Sequence, residues 1–386
     1  MFGYSRRRSN QNQAAHSPAQ VALCEPRVLP SGNVTITFTG PNAILIQGDG
    51  SDNSIEYISI GNQIIIQGYG TKVNGTPDGT GMPNRVFLTN AQGQIYQGNG
   101  FLSVTVDLGA GNDTFWSNSN PFIDLVIAGS PGNDSTYLFG GFAGQFHYGI
   151  GSDDAGNDKL DIRAFSSRQM EVNLGTGNDT LEFGATPPDP IHGLFDGGSG
   201  NDRYLIRNST IRGDFRLGGT DAGNDTVTIT NSDLQNTEID LGNGLDRLYL
   251  DNTRLRGNSR IQLGAGNDSF VSNTLVSEAI SIDAGAGIDT LQVDLSASRA
   301  DLLGGDGMDL IILNRLQTTE SSLVDAGAGN DVVAILQTSL GGPLSVVGGT
   351  GRDTYYRSTV AGIGLSGFEV ALSIWSPSVW LAGRYV

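Results

Sequence analysis

Short runs of alternating apolar and polar residues, separated by Gly, Asn or Asp, extend along most of the chain. Val34, Ile36 and Phe38 alternate with threonine, and Leu248 and Leu250 flank a tyrosine. Alternation with a period of two is typical of strands with one buried and one exposed face. No stretch of useful length shows the 3.6-residue period of an amphipathic helix. The pattern therefore predicts an all-β protein.

One turn sequence, Gly-x-Gly-Asn-Asp or a close variant, recurs twelve times between residues 109 and 353. Successive copies lie 20 to 24 residues apart. A fixed period of this size indicates stacked structural units rather than one globular core. The Asp of the motif falls at Asp113, Asp134, Asp158, Asp179, Asp202, Asp225, Asp246, Asp268, Asp289, Asp309, Asp331 and Asp353.

Each unit reads as strand, motif turn, strand and second turn, as residues 239–260 illustrate. Stacking such units pairs each strand with the same strand of the next unit. We therefore predict a parallel β-solenoid of about twelve coils, each of about 22 residues and two strands, capped at both ends. The residue two positions after the motif Asp is apolar in eleven units, with Thr136 the exception. This position is expected to point inward.

The repeat divides the chain into four predicted parts. Residues 1–30 are polar and basic and are expected to form a disordered export or targeting tail. Residues 31–100 hold four to six short predicted strands, an N-terminal β module or cap, in which Gly48–Asp52 is a possible degenerate repeat. Residues 101–357 form the solenoid. Residues 358–386 are expected to cap its last coil, with an aromatic sugar or partner site as the alternative.

Composition narrows the function classes. The chain carries 40 acidic and 22 basic residues, a net charge of −18, so it repels nucleic acid and anionic lipid and attracts cations. No run of 18 apolar residues occurs, so no membrane-spanning helix is expected. With one cysteine, Cys24, the chain has no internal disulfide.

Stacking in register places the motif carboxylates in a column. At a spacing of roughly 5 Å and an effective dielectric constant near 20, neighbouring charges repel by about 3 kcal/mol. Basic residues flank only four of the twelve Asp. Carboxylate and carbonyl oxygens, without nearby His or Cys, favour Ca²⁺, and the scattered His16, His147 and His192 argue against zinc.

Turn chemistry alone is the alternative explanation of the motif. Gly permits positive φ and close approach of the next coil, Asn tolerates the left-handed conformation, and Asp accepts backbone N–H bonds. The second turn has its own asparagines, which we interpret as a ladder or as left-handed turn residues, with a ligand surface as the alternative. They are Asn118, Asn208, Asn231, Asn252, Asn273 and Asn314.

Three units carry the longer pattern Gly-Gly-x-Gly-x-Asp-x-apolar-x, at residues 197–205, 304–312 and 348–356. They resemble the RTX, or haemolysin-type, calcium repeat. The resemblance implies a β-solenoid in which the Asp and the carbonyls of stacked glycine turns hold Ca²⁺. It makes the twelve motif Asp named above the side-chain ligands. RTX repeats run in nine-residue tandem and load both edges, whereas this chain carries the motif on one edge.

A second resemblance lies near the start of the chain. The stretch Cys24-Glu25-Pro26-Arg27-Val28-Leu29-Pro30 resembles the Leu-Glu-Pro-Arg-x-Leu-Leu segment of planctomycete surface and secreted repeat proteins. Residues 42–75 are similar to the strand module that often follows this segment. The resemblance implies an extracellular or cell-surface location.

Three functions fit these features. The first is a non-enzymatic structural or adhesive surface protein stabilised by calcium, with polysaccharide or other surface proteins as partners and an oligomer or fibre as its assembly. The second is a polysaccharide-active β-helix enzyme (lyase, epimerase or glycosidase), with a lip at Gly184–Phe195. The third is a carbohydrate-binding adhesin. We expect no catalytic residues, because the acid–arginine pairs Asp161/Arg163, Asp214/Arg216 and Asp251/Arg254 read as solvent-facing strand charges.

Overall fold

The computed structural model describes residues 32–40, 42–60, 63–74, 84–87, 102–149, 154–184, 192–218, 222–357 and 363–373. The predicted tail with Cys24, most of the predicted lip, and Trp375, Trp380 and Tyr385 of the predicted cap lie outside these ranges. Within the described residues every regular element is a β-strand, which confirms the all-β prediction.

The strands are named here in chain order. They are β1 Asn33–Gly40, β2 Ala43–Gln47, β3 Ser54–Ile60, β4 Gln63–Gly68, β5 Lys72–Val73, β6 Asn84–Phe87, β7 Leu102–Asp107, β8 Thr114–Ile127, β9 Ser135–Tyr148, β10 Lys159–Asn173, β11 Thr180–Gly184, β12 His192–Asp196, β13 Arg203–Arg207, β14 Thr210–Leu217, β15 Thr226–Thr230, β16 Asp233–Asp240, β17 Asn243–Gly244, β18 Arg247–Asp251, β19 Arg254–Gln262, β20 Ala265–Gly266, β21 Ser269–Asn273, β22 Leu275–Asp283, β23 Ala286–Gly287, β24 Thr290–Leu303, β25 Asp306–Gly307, β26 Leu310–Thr318, β27 Ser322–Asp325, β28 Val332–Ile335, β29 Thr338–Leu340, β30 Leu344–Val347, β31 Thr354–Arg357, β32 Ile363–Ser366 and β33 Val370–Ser373.

Two parallel sheets run along the molecule, and we name them by their position relative to the motif. In the post-motif sheet, β11 pairs with β13 of the next coil, and Leu181 lies opposite Tyr204. In the pre-motif sheet, β12 pairs with β14, and Leu194 lies opposite Arg216. The two-residue strands β17, β20, β23 and β25 form a third ladder through the motif turn itself. The predicted parallel β-solenoid is confirmed.

Four strands, β8, β9, β10 and β24, pass from one sheet to the other without a break. At this corner Phe165 still pairs with Gly141, and Ser166 with Phe142. In these coils the second turn is therefore a bend within a strand and not the separate turn that the sequence predicts. Cross-coil pairing continues around the bend, so the backbone groups there remain hydrogen-bonded.

The N-terminal strands complete the first coil and then close its edge. Parallel pairing of β2 with β7 and of β3 with β8 extends both sheets. Beyond them, β1 pairs antiparallel with β2, β4 with β3, and β6 with β4. Because β2 and β3 have partners on both sides, this end does not present the open parallel edge of the solenoid.

The C-terminal end continues the solenoid further than the sequence predicts. Beyond the last motif, β32 pairs in parallel with β30 and β33 pairs with β31. Residues 363–373 therefore form another coil, although they lack the Gly-x-Gly-Asn-Asp signature. Phe368 in this coil packs against Tyr355, with ring centroids 5.4 Å apart.

The core lies between the two sheets and runs the length of the molecule. It is built from the inward-facing residues of each alternating strand. The position two residues after the motif Asp is buried in all twelve units, Thr136 included. Its occupants are Phe115, Thr136, Leu160, Leu181, Tyr204, Val227, Leu248, Phe270, Leu291, Ile311, Val333 and Tyr355. The prediction that this position points inward is confirmed.

Candidate metal-binding column of the motif turn

The second glycine of the motif places one turn directly against the next. Gly177 has φ of +156°, and a Cβ built on it would lie 1.5 Å from the carbonyl oxygen of Gly156. An alanine therefore fits neither the backbone conformation nor the space between the coils. This contact, repeated from coil to coil, brings the motif side chains into register.

The motif asparagines form an exposed ladder. The backbone N–H of Asn178 donates to Oδ1 of Asn157 in the preceding coil at 2.7 Å, and that of Asn201 donates to Oδ1 of Asn178 at 2.8 Å. None of these motif asparagines has positive φ among the described residues. The left-handed tolerance of asparagine is therefore not used at these positions, and the side-chain acceptor accounts for asparagine here.

The left-handed asparagines lie instead in the second turn. Asn208, Asn231 and Asn252 have φ of 51°, 51° and 46°. The side-chain amide of Asn252 also donates to Oδ1 of Asn231 at 2.9 Å. The prediction of left-handed turn asparagines is therefore confirmed for these three residues. Asn118, Asn273 and Asn314 do not have positive φ.

The motif aspartates form a second ladder, which is buried. The backbone N–H of each motif Asp donates to Oδ1 of the Asp in the following coil, at 2.6 to 2.9 Å, along the whole series from Asp113 to Asp353. Eleven of the twelve side chains are buried, and Asp134 is half-buried. The structure thus brings all twelve predicted ligand residues into one continuous column.

Both ends of this column use a residue that the motif does not predict. At the first coil, the backbone N–H of Asn53 donates to Oδ1 of Asp113 at 2.6 Å. Asn53 therefore holds the Asp position of the degenerate repeat, and Asp52 holds the Asn position, where it accepts from the N–H of Asn112 at 2.8 Å. At the other end, Glu369 accepts the N–H of Asp353 at 2.5 Å.

The second carboxylate oxygen distinguishes the column from ordinary turn chemistry. In ten of the twelve aspartates Oδ2 is buried and has no hydrogen-bond partner among the described residues. At Asp202 this oxygen faces the start of its own turn, because a Cβ on Gly197 would lie 2.2 Å from it. The same position carries buried Leu or Ala in other coils, so these oxygens adjoin the apolar interior. The ten are Asp113, Asp158, Asp179, Asp202, Asp246, Asp268, Asp289, Asp309, Asp331 and Asp353.

Burial raises the pKa values of several motif carboxyls. It raises the pKa of Asp113 to about 8, and those of Asp179, Asp202, Asp246 and Asp289 to about 7. The backbone N–H donors oppose this shift, and the neighbouring motif carboxylates add to it. Burial is thus a larger cause than repulsion between neighbours, which corrects the order of effects reasoned from sequence.

One further carboxylate joins the column. Oxygens of Asp134, Asp154 and Asp158 all lie within 4.8 Å of one another. Sequence reasoning did not identify Asp154 as a ligand. The sequence feature that could have identified it is the Asp that replaces the first Gly of the motif in Asp-Ala-Gly-Asn-Asp, residues 154–158. Orphaned buried oxygens and a carboxylate donor set fit a hard divalent cation such as Ca²⁺.

The candidate catalytic pairs lie elsewhere, on the outer faces of the sheets. Arg163 donates two hydrogen bonds to Asp161, at 2.8 and 2.7 Å. Arg216 contacts Glu238 at 3.1 Å rather than Asp214. Arg254 is exposed beside the turn that follows Asp251. The described histidines pair with single carboxylates, His147 with Glu171 at 3.2 Å and His192 with Asp214 at 3.8 Å.

No family model matches this sequence, and no curated protein matches it. Among solved structures, the chain is similar to a hyperactive, Ca²⁺-dependent, β-helical antifreeze protein from an Antarctic bacterium. The two are 24% identical with a TM-score of 0.48, over 68% of this chain and 81% of that one. Calcium dependence and antifreeze activity are properties of that protein. The described part of the present chain contains no helix able to cross a membrane.

Proposed function

We propose that this chain is a non-enzymatic structural or adhesive solenoid of the cell surface or extracellular space, stabilised by Ca²⁺ at its motif turns. The observation that carries the proposal is the row of ten buried Oδ2 atoms without partners among the described residues. A buried carboxylate in this state must take up a proton or a cation.

Calcium suits the column better than a softer metal. Each turn offers carboxylate and carbonyl oxygens, which Ca²⁺ accepts in irregular sets of six to eight. Sites with one aspartate per coil are weak, and they fill only where calcium is abundant, as outside cells. The surface location is tested by antibody labelling and protease treatment of intact cells; a chain that is protected and unlabelled until lysis contradicts it.

Thermal unfolding at pH 8 tests the calcium role. Metal that binds only the folded state stabilises it by about 2.7 kcal/mol at a free concentration of 100 times Kd. We expect a higher melting temperature in excess Ca²⁺ than in chelator, with bound calcium found by elemental analysis. Identical melting temperatures and no bound calcium would refute the proposal. Equimolar Mg²⁺ controls for ionic strength and divalent charge.

Carbohydrate binding is the second candidate function. A groove of about 710 Å³ lies outside the pre-motif sheet and is lined by Asp124, Gln145, Arg168, Gln169 and His192. Planar amides, a carboxylate and a guanidinium match the hydroxyl groups of a sugar as donors and acceptors. A glycan array with and without Ca²⁺ tests this candidate, and incubation of any bound glycan for turnover tests the non-enzymatic assignment.

A further inference from the structure

Between residues 128 and 158 the interior of the solenoid contains polar side chains at positions that are apolar in neighbouring coils. Thr136 occupies the inward position that carries Phe115 in the preceding coil and Leu160 in the following one. Ser130 and Tyr148 are also buried here. A cavity of about 10 Å³, large enough for one water-sized group, is lined partly by these three residues together with Asp113 and Asp134.

Asp154 is the most unusual side chain of this region. It is only 6% exposed, and when it is ionised neither of its carboxylate oxygens has a hydrogen-bond partner among the described residues. A proton on Asp154 would be shared with Asp158. It takes the place that Gly175 occupies in the next coil. Its Oδ2 lies against Gly129, where a Cβ would come within 2.3 Å. Unlike the motif aspartates, Asp154 therefore has no ladder hydrogen bond to explain it.

The neighbours of Asp154 are themselves acidic. Asp134 and Asp158 each place a carboxylate oxygen within 4.8 Å of an Asp154 oxygen and of each other. Ser130 adds a hydroxyl, which donates to Oδ2 of Asp134 at 3.2 Å. Three carboxyls in one buried place cannot all remain ionised without compensation, so they need either a shared proton or a cation between them. Oxygens from three carboxyls at one place are the donor set that a hard divalent cation takes.

We propose that Asp134, Asp154 and Asp158 form one high-affinity Ca²⁺ site, distinct from the weaker sites along the column. This inference rests on the proposed calcium role and names the turn at which calcium binds most tightly. Among the described residues, this is the one place where three carboxylates offer oxygens within 4.8 Å of one another, and the number of charged ligands sets calcium affinity. A buried set of protein carboxylates favours Ca²⁺ over Mg²⁺, which requires octahedral geometry and keeps several waters.

The test is the calcium stoichiometry and affinity of the full chain, measured by titration calorimetry and by Tb³⁺ luminescence. The variants are Asp154→Asn and Asp154→Gly, the second of which restores the common motif residue. Asp306→Ala is the matched control, because it removes an exposed carboxylate from a motif turn and introduces the alanine found there in other units. In chelator the Asp154 variants should melt no lower than the unsubstituted chain, since they remove a buried charge.

We expect one tight calcium in the unsubstituted chain and in Asp306→Ala. Both Asp154 variants should weaken it by more than about 100-fold, since changes to outer-shell partners alone weaken metal sites by 10 to 100-fold. Unchanged affinity in both Asp154 variants would overturn this site while leaving the general calcium role intact. Absence of calcium binding and of any thermal shift in the unsubstituted chain would overturn both proposals.

Discussion

The backbone N–H of Asp179 donates to the Oδ1 of Asp202, 2.8 Å away in the next coil. The same bond joins every neighbouring pair of motif aspartates, and it uses one oxygen of each carboxyl. The other oxygen remains inside the fold, without a partner in most coils. In those coils the motif Asp is therefore both a connector between coils, which needs no metal, and a buried acid, which needs a proton or a cation.

Substitution of Asp246 separates these two roles. In the present chain the N–H of Asp225 donates to Oδ1 of Asp246 at 2.6 Å. Asparagine at position 246 keeps this acceptor oxygen and removes the charge. We expect Asp246→Asn to fold with little change in chelator and to reduce the stabilisation by Ca²⁺. Alanine leaves the Asp225 N–H without its acceptor and should destabilise the fold by about 1–3 kcal/mol with or without metal. Denaturant unfolding of both variants, with and without Ca²⁺, measures the difference. Equal effects of Asn and Ala would show that the charge has no separate role.

The metal-free solenoid should lose stability as the pH rises. The folded-state pKa values of Asp113, Asp179 and Asp246 are raised by burial to about 8, 7 and 7, above the usual value of 3.8. A raised pKa means that the folded state holds protons more tightly than the unfolded state. This contribution to stability is therefore fully present below about pH 4. It falls as the pH rises and is lost once the pH has passed through the folded-state values of about 7 and 8.

Melting curves in chelator between pH 5 and pH 9 check this prediction. The melting temperature should fall across that range, and excess Ca²⁺ should flatten the curve, because calcium binding replaces the protons. A melting temperature that rises with pH in chelator would show that these carboxyls are ionised in the fold at neutral pH.

Adjacent motif turns lie in close contact, so a side chain added between them should destabilise the fold. Gly177→Ala introduces a Cβ about 1.5 Å from the carbonyl oxygen of Gly156, at φ of +156°. The coils must move apart, which we expect to destabilise the fold by roughly 3 kcal/mol. Gly50→Ala is the control, since its Cβ meets nothing within 4 Å. Equal melting temperatures for the two variants would mean that the turns are not in contact in solution.

The repeat period and the alternation of apolar and polar residues predict most of this fold. The period follows from the stacking of equal coils, and the alternation follows from strands that have one buried face. A side chain two residues after the motif Asp must point inward, and even the exceptional Thr136 does so. The motif does not predict coils in which another residue replaces the Asp and still takes part in the hydrogen bond between coils. Asn53 and Glu369 continue the Asp column in coils without the signature. In these coils strand pairing, rather than the motif, sets the register.

The candidate site is less predictable for a different reason. Sequence spacing places the carboxylates in a column but does not show which oxygen each backbone N–H uses. Asp154 illustrates the limit, because its importance comes from burial beside Asp134 and Asp158 and not from its place in the repeat. If the motif aspartates were exposed, their pKa values would be ordinary and water would hydrate both carboxylate oxygens. Burial, which the sequence spacing does not show, therefore decides the properties of this site.

The ion pair between Arg163 and Asp161 is expected to stabilise the fold, whereas the enzymatic alternative assigns it a catalytic role. Asp161 faces outward from the post-motif sheet, yet its side chain is only 3% exposed, and the Arg163 guanidinium lies across it at 2.7 Å. Arg163→Met leaves that carboxylate covered and unpaired. We expect a loss of about 2 kcal/mol, below the value for a fully buried pair because Arg163 itself is 60% exposed. Arg256→Met is the control, since its partner Asp233 is 31% exposed and remains hydrated; its effect should be smaller. Denaturant unfolding compares the two variants. If Arg163→Met leaves stability unchanged but abolishes turnover of a polysaccharide, the pair is catalytic and the structural assignment is wrong.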